Sequence, residues 1–327
     1  MAPVRLALAS GPYDRLAALH DGSVRIEGVE IAGETLWPPR LIFDRLAGGD
    51  AFDISEFSCS EFIALRDWGR EPFVALPVFP SRVFRHGFIC VRDGGPVRNP
   101  RDLEGRRVGV PLYTQTAAIW IRGLLAEEYG VDLSRIHWVE GSVMQPGGHG
   151  DPSASPMRRP PPIEANTGGK SLAELLVAGE IDAILGTFVD EAVQTYPQIV
   201  RLFPDFRARE RDYFRRTGVF PIMHLMVIRQ AVHQAHPWLA ARLFDACEQA
   251  KAVAHKRLRS QNAQHVMLPW LLDDLEEMAA LFGGDPWPYG LAPNRATLET
   301  LMRYMHAQGF IERPIPVEEL FLPGFRS

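Results

Sequence analysis

Short runs that are apolar, or that alternate apolar with polar residues, recur along the first two-thirds of the chain, separated by stretches of helical spacing. Residues 4–9, 24–31, 52–56 and 74–79 read as strands, with short helices after residue 12 and over 41–46 and 58–68. A second block follows. Residues 88–91, 107–110, 136–139 and 183–186 have the apolar runs of buried strands, and 114–129, 172–178 and 187–196 the spacing of helices. Thr114 or Thr116 is placed to cap the 114–129 helix, and Gly130 stands just past its end. Residues 147–166, rich in Pro, Gly and Ser, have no period and read as an excursion loop. Residues 220–228 are apolar apart from His224 and carry the chain back. The remainder is mainly helical, over 237–257, 268–282 and 297–308, with a terminal turn at 317–321.

Strand–helix alternation predicts an α/β fold with mostly parallel sheets. The two blocks are joined by crossing segments near residues 90 and 222, so two lobes are expected. One is discontinuous, 1–92 plus 225–327; the other is 93–224. A length of 327 residues suits this division.

Charge narrows the function. A formal net charge of -5 argues against nucleic acid or an acidic membrane as a partner. No apolar run reaches the roughly 18 residues needed to span a bilayer. Residues 1–10 lack a basic leader and a long apolar core, so they read as the first strand and not as a signal peptide. Cys59, Cys90 and Cys247 have no paired spacing, which fits reduced thiols and a cytoplasmic location. No clustered His or Cys spacing points to a metal, and no Gly-rich phosphate motif or GxSxG appears.

The candidate chemistry centres on residues 79–92, where Arg82, Arg85 and His86 lie on a segment that is otherwise apolar. Two guanidiniums there suit an anion, because the planar fork meets both oxygens of a carboxylate; a loop with solvated arginines is the alternative. Four strand-to-helix junctions add hydroxyls and backbone N–H groups: Ser10-Gly11-Pro12-Tyr13 with Arg15 just beyond, Ser55-Glu56-Phe57-Ser58, Tyr113-Thr114-Gln115-Thr116, and Gly186-Thr187-Phe188. Helix starts attract anions, and ligands of open α/β sheets sit beyond the carboxyl ends of strands. Two junctions fall in each expected lobe, so a ligand in a cleft between the lobes would be gripped from both sides. Plain N-capping explains any one of them equally well. Of ten histidines, only His86 and His224 interrupt apolar segments at the crossings, where a satisfied core histidine is the alternative role. The others, His149 among them, carry no pattern.

Five segments resemble the 4,5-dihydroxyphthalate decarboxylases: residues 80–86 (PSRVFRH), 102–110 (DLEGRRVGV), 116–123 (TAAIWIRG), 214–224 (FRRTGVFPIMH) and 285–290 (DPWPYG). The second is common among solute-binding proteins, whereas the first and fourth are more particular. The resemblance spans nearly the whole chain and is least at residues 144–166. It implies a two-lobe fold like that of type II periplasmic solute-binding proteins. It also implies decarboxylation of a small aromatic dicarboxylate without a cofactor, and leaves a homo-oligomer open. A solute-binding or sensing protein for a small aromatic or carboxylate ligand is the alternative.

Loss of CO2 directly from an aryl carboxylate would leave an unstable in-plane carbanion. Protonating the ring carbon first, with the para hydroxyl deprotonated, avoids it. That route needs an acid, a base and a cationic clamp. His86 or His224 is the candidate acid, and Glu56 or the other histidine the base. Arg82 and Arg85 are the candidate clamp. Tyr13, Arg15, Ser58, Thr114, Gln115, Thr116 and Thr187 complete the expected substrate-binding set, with Arg82, Arg85, His86 and His224 expected together on the cleft floor.

Overall fold

The computed structural model describes residues 2–47, 52–150, 156–260 and 266–325. The chain opens with β1 (Val4–Ser10), α1 (Asp14–His20), β2 (Val29–Thr35), α2 (Arg40–Ala47), β3 (Ile54–Ser58), α3 (Cys59–Asp67) and β4 (Phe73–Arg82). β1 is parallel to β2 on one side and to β3 on the other. β2 starts later than the run over 24–31 suggests. Gly28 takes φ +78, which breaks that run, and Val24 and Ile26 fill the core from the preceding turn.

The chain then builds β5 (Ile89–Arg92), β6 (Arg107–Val110), α4 (Thr116–Tyr129), β7 (His137–Glu140), β8 (Ile163–Ala165), α5 (Leu172–Ala178), β9 (Ala183–Leu185), α6 (Val189–Thr195), β10 (Ile199–Arg201) and α7 (Phe206–Thr217). These strands form a six-stranded sheet in the order β10-β5-β9-β6-β7-β8. α4 stops where Gly130 turns left-handed at φ 64, as its position in the sequence suggests. Its N-cap is Gln115, however, and Thr116 is already helical. The 147–166 loop contains β8, which pairs in parallel with β7 but is too short to show a period; residues 151–155 of that loop lie outside the described residues. β10 and α7 have no counterpart in the periodic pattern. α7 buries only Glu210 and Tyr213 of its twelve residues, so it lacks an apolar stripe.

The return strand β11 (Ile222–Arg229) leads to α8 (Gln230–Ala235), α9 (Leu239–Leu258), α10 (Leu271–Phe282) and α11 (Arg295–Ala307). β11 lies between β3 and β4, giving a five-stranded sheet in the order β2-β1-β3-β11-β4. It is antiparallel to β3, and β5 is antiparallel to β9 and β10. Both sheets are therefore mixed, a correction to the mostly parallel arrangement expected. The crossing segments enter their sheets against the βα direction.

The chain divides into two compact units, one of residues 1–82, 224–298 and 315–327 and the other of 83–223 and 299–314. The division falls before the expected residue 92 because β5 is built into the second sheet. Residues 299–314 belong to the second unit, where Gln308 donates to the Ile119 carbonyl at 3.0 Å and Tyr304 packs edge-on against Trp120. Each unit has its own core: Leu6, Leu8, Ile54, Val78, Met226 and Leu243 in the first, and Val139, Leu172, Leu176, Ile181, Ile184 and Ile199 in the second.

Gly123 of α4 lies so close to Tyr304 that an added Cβ would stand 2.0 Å from the ring. Tyr304 is only 5% exposed and has nowhere to move. Gly123→Ala is therefore expected to destabilise the protein. Overpacking of about 1–3 kcal/mol outweighs the roughly 1 kcal/mol gained in helix propensity. A urea-unfolding midpoint at or above that of the wild type would contradict this.

Candidate active site

In the first unit, the register of β11 on β3 sets His224 opposite Ser58 and Met226 opposite Glu56. Strand side chains alternate, so Glu56, Ser58 and His224 share one face at the end of the sheet. His224 Nδ1 lies 3.9 Å from Glu56 Oε2. The Glu56 side chain is fully buried, while that of His224 keeps 17% exposure. Phe43 stands edge-on to the imidazole, ring centroids 5.0 Å apart. Among the described residues neither Glu56 oxygen has a hydrogen-bond partner of good geometry, although the Tyr13 hydroxyl also approaches the carboxylate and bonds to Ser81. Burial, reinforced by the Glu56 charge, raises the Tyr13 phenol far above its ordinary pKa, so it stays protonated and can donate.

Arg15 stands between the Tyr13 and Trp287 rings, its guanidinium carbon 4.5 and 4.3 Å from their centroids. Its Nε donates to the Pro80 carbonyl at 2.6 Å, joined there by Nη2, and Nη1 meets Asp14 at 3.1 Å. These contacts tie α1 to the end of β4. Arg82 is buried and donates from Nη1 to Asn294 Oδ1 at 2.8 Å. Burial draws its pKa down to about 9. Asn294 in turn bonds the carbonyls of Pro288 and Gly290. The 285–290 segment is held by Lys251, whose Nζ meets Asp285 at 2.8 Å and the Trp287 carbonyl at 3.1 Å. Trp287 Nε1 then donates to the Phe79 carbonyl. Ser58 serves as the N-cap of α3, accepting from the Glu61 N–H at 3.3 Å.

Arg85 and His86 belong to the second unit. His86 is 3% exposed, surrounded by the rings of Tyr129, Phe203 and Tyr213, with Glu210 Oε1 3.9 Å from Nδ1. Burial, then the nearby Arg209 and Arg216, pushes its pKa down to about 4. Burial pushes Glu210 up to about 7, even though the Gly87 N–H donates to it at 3.3 Å. The distance is that of an ion pair, but desolvation favours the neutral form of both partners. Arg85 is buried over the Phe88 ring at 4.6 Å, and burial lowers its pKa to about 10. A small cavity lined by Phe84, Arg85, His86, Trp120 and Tyr213 adjoins the histidine.

The start of α4 is fixed from below. The Tyr113 N–H donates to Glu140 Oε2 at 2.5 Å, and Arg122 Nη2 donates to the Tyr113 carbonyl at 2.9 Å while its guanidinium stacks 3.6 Å from that ring. Gln115 accepts from Thr187 Oγ1 at 3.3 Å and lies 2.9 Å from His149 Nε2. Gln115 and Thr187, from two of the strand-to-helix junctions, are thus hydrogen-bonded to each other. Of the four groups expected on one floor, Arg82 and His224 belong to the first unit and Arg85 and His86 to the second. Sequence reasoning missed Arg122, Glu140, His149 and Glu210. Only Arg122 had a signal, as the one charge in the apolar run 117–125. Among the described residues no group of three or more His, Cys, Asp or Glu is arranged to hold a metal ion.

The chain is 36% identical over 330 residues to a 4,5-dihydroxyphthalate decarboxylase of Comamonas testosteroni, covering 99% of this chain and 98% of that protein. The chain belongs to the 4,5-dihydroxyphthalate decarboxylase family. A second member, from Pseudomonas putida, is 32% identical over 216 residues, which are 66% of this chain and 83% of that one. No protein-family model matches. Among solved structures, the periplasmic aliphatic sulphonate binding protein SsuA of Escherichia coli aligns over 99% of each chain with a TM-score of 0.56 and 11% identity. The desulfurization enzyme DSZB aligns over 99% of this chain and 97% of its own, with a TM-score of 0.52 and 16% identity. The fold is that of the periplasmic binding proteins.

His86 and Glu210 give stability opposite slopes with pH. Between about pH 4 and 6.5 unfolded His86 takes a proton that the folded residue refuses, so its contribution to stability grows as pH rises. Between 4.5 and about 7 folded Glu210 keeps a proton that the unfolded residue has lost, so its contribution fades as pH rises through 7. Glu210→Gln leaves the histidine slope alone. The melting temperature of that variant is expected to fall more steeply than the wild type's between pH 6.5 and 4; parallel profiles would rule this out.

Proposed function

We propose that this protein decarboxylates 4,5-dihydroxyphthalate to protocatechuate and CO2, with His224 as the proton-transfer residue and Glu56 positioning it. Family membership supports the substrate. The His224–Glu56 pair is the observation that carries the chemistry. A catalytic acid has to meet the substrate while its charged form is stabilised from behind. His224 keeps exposure, and the Glu56 carboxylate beneath it is fully buried, with the Tyr13 hydroxyl close by.

In the reaction, the hydroxyl para to the departing carboxylate gives up its proton, and the ring carbon bearing that carboxylate takes one. The ring becomes a dienone with a tetrahedral carbon. The C–CO2 bond then breaks, its electron pair returns to the ring, and the resulting phenolate is protonated. The net change is uptake of one proton and release of CO2, with no oxidant or reductant. Imidazolium beside a buried carboxylate is a suitable donor to the ring carbon, and Tyr13 holds that carboxylate in place. Arg15, Arg82 and Arg85 act as scaffold in this reading, because their guanidiniums bind carbonyls and an amide oxygen or stack on rings. The same environment leaves His86 a neutral packing group.

The three buried, unpaired cysteines fit a reducing, cytoplasmic setting. No helix among the described residues is long and apolar enough to cross a membrane.

The test is turnover of hydroxyphthalates and hydroxybenzoates, followed by CO2 release and ring absorbance. His224→Gln is expected to lower kcat by about a hundredfold to ten-thousandfold with little change in binding, while His86→Gln keeps kcat near the wild-type value. Equal losses in both variants would refute the assignment. Saturable binding without turnover in the wild type would favour a solute-binding role, to which the likeness to SsuA lends support.

The phenol of Tyr13 donates toward Glu56 from a partly buried position. Tyr13→Phe is expected to cut kcat by about tenfold, roughly the worth of one hydrogen bond to a charged group. Its melting temperature should change little. An unchanged kcat in a normally melting variant would remove Tyr13 from the site.

A further inference from the structure

Phe188 is the one non-glycine residue among those described with a positive φ, at +66. A left-handed backbone is costly for a bulky side chain, and such strain is retained where the side chain's placement matters. Yet the Phe188 ring is 40% exposed, so core packing does not account for it. The residue follows β9, which pairs in parallel with β6, so the 186–188 turn and the 111–115 turn leave the same edge of the sheet. This edge is where ligands of open α/β sheets bind. Gly186 brings the two turns together, since a Cβ there would meet the Pro111 ring at 2.6 Å. His149, from the 147–166 loop, sets its ring 5.6 Å from that of Phe188. Its orientation is fixed by Gln115, whose oxygen is taken by Thr187, leaving the amide nitrogen to donate to His149 Nε2.

We infer that Phe188, with His149 beside it, is the surface on which the aromatic ring of the substrate stacks, making Phe188 a specificity-determining residue for the reaction proposed above. The two rings offer an apolar face, and Gln115 and Thr187 border it with polar groups. An aromatic ring carrying a carboxylate matches both. The inference rests on the decarboxylase reading for the substrate and on the second unit's geometry for the site.

The experiment uses Phe188→Gly, Phe188→Leu and Phe188→Trp in the full chain. Glycine relieves the strained φ, so Phe188→Gly is expected to melt at or above the wild-type temperature. Its KM for 4,5-dihydroxyphthalate should nevertheless rise about tenfold, the upper range for one aromatic contact, with kcat within about threefold. Phe188→Leu, which keeps apolar bulk without the ring, should show the same rise. Phe188→Trp should keep KM near the wild-type value, and its added fluorescence should be quenched saturably by 4,5-dihydroxyphthalate. A wild-type KM in Phe188→Gly or Phe188→Leu, or tryptophan fluorescence blind to the compound, would overturn the inference. Absence of turnover in the wild type combined with saturable quenching would overturn the decarboxylase reading and leave the stacking surface standing.

Discussion

The first unit depends on the seat of one strand, β11, which lies between β3 and β4 and runs antiparallel to β3. β4 joins the sheet only through β11, so the sheet is incomplete until the chain has passed through residues 83–223 of the second unit. Such non-local pairing is slow to form, because a long loop must close before any contact rewards it. It also sets the chemistry. A shift of one residue would send His224 to the opposite face and leave Glu56 buried with no imidazole near it.

Two histidine–glutamate pairs among the described residues have the same Nδ1–Oε separation, 3.9 Å in each. Their surroundings make them different groups. His86 is enclosed by aromatic rings, near Arg209 and Arg216, and its proton affinity is lowered. His224 lies at the end of a sheet, partly exposed, with the carboxylate buried behind it. Distance alone does not assign a role. What counts is which partner is desolvated and whether the imidazole can reach anything besides protein.

Buried arginine is the other recurring device. Arg15, Arg82 and Arg122 each tie one segment to another through carbonyl or amide oxygens, and Arg15, Arg85 and Arg122 lie against aromatic faces. A planar, weakly hydrated guanidinium tolerates this better than an ammonium would. The cost of burying charge is offset by hydrogen bonds in fixed geometry, and the reward is a loop held in one place. Trp287 above Arg15 in the first unit, and Tyr113 above Arg122 in the second, each hold one turn in this way.

The α/β class, most strands and helices, and the stop of α4 at Gly130 follow from local pattern, because apolar period and left-handed glycine act within a few residues. The same local reasoning placed Glu56, Ser58, Gln115 and Thr187 at the ends of strands. It did not show that β5 runs antiparallel to β9 and β10, or β11 to β3, since strand direction is set by partners far away in the chain. Nor did it find α7, whose polar surface carries no stripe, or the role of His149, whose place depends on a hydrogen bond to Gln115 across 34 positions. Residue type marked Arg82, Arg85 and His86 as reactive. Tertiary packing enclosed them, because burial decides whether a charged group meets a ligand or holds the fold, and burial is a property of the whole chain.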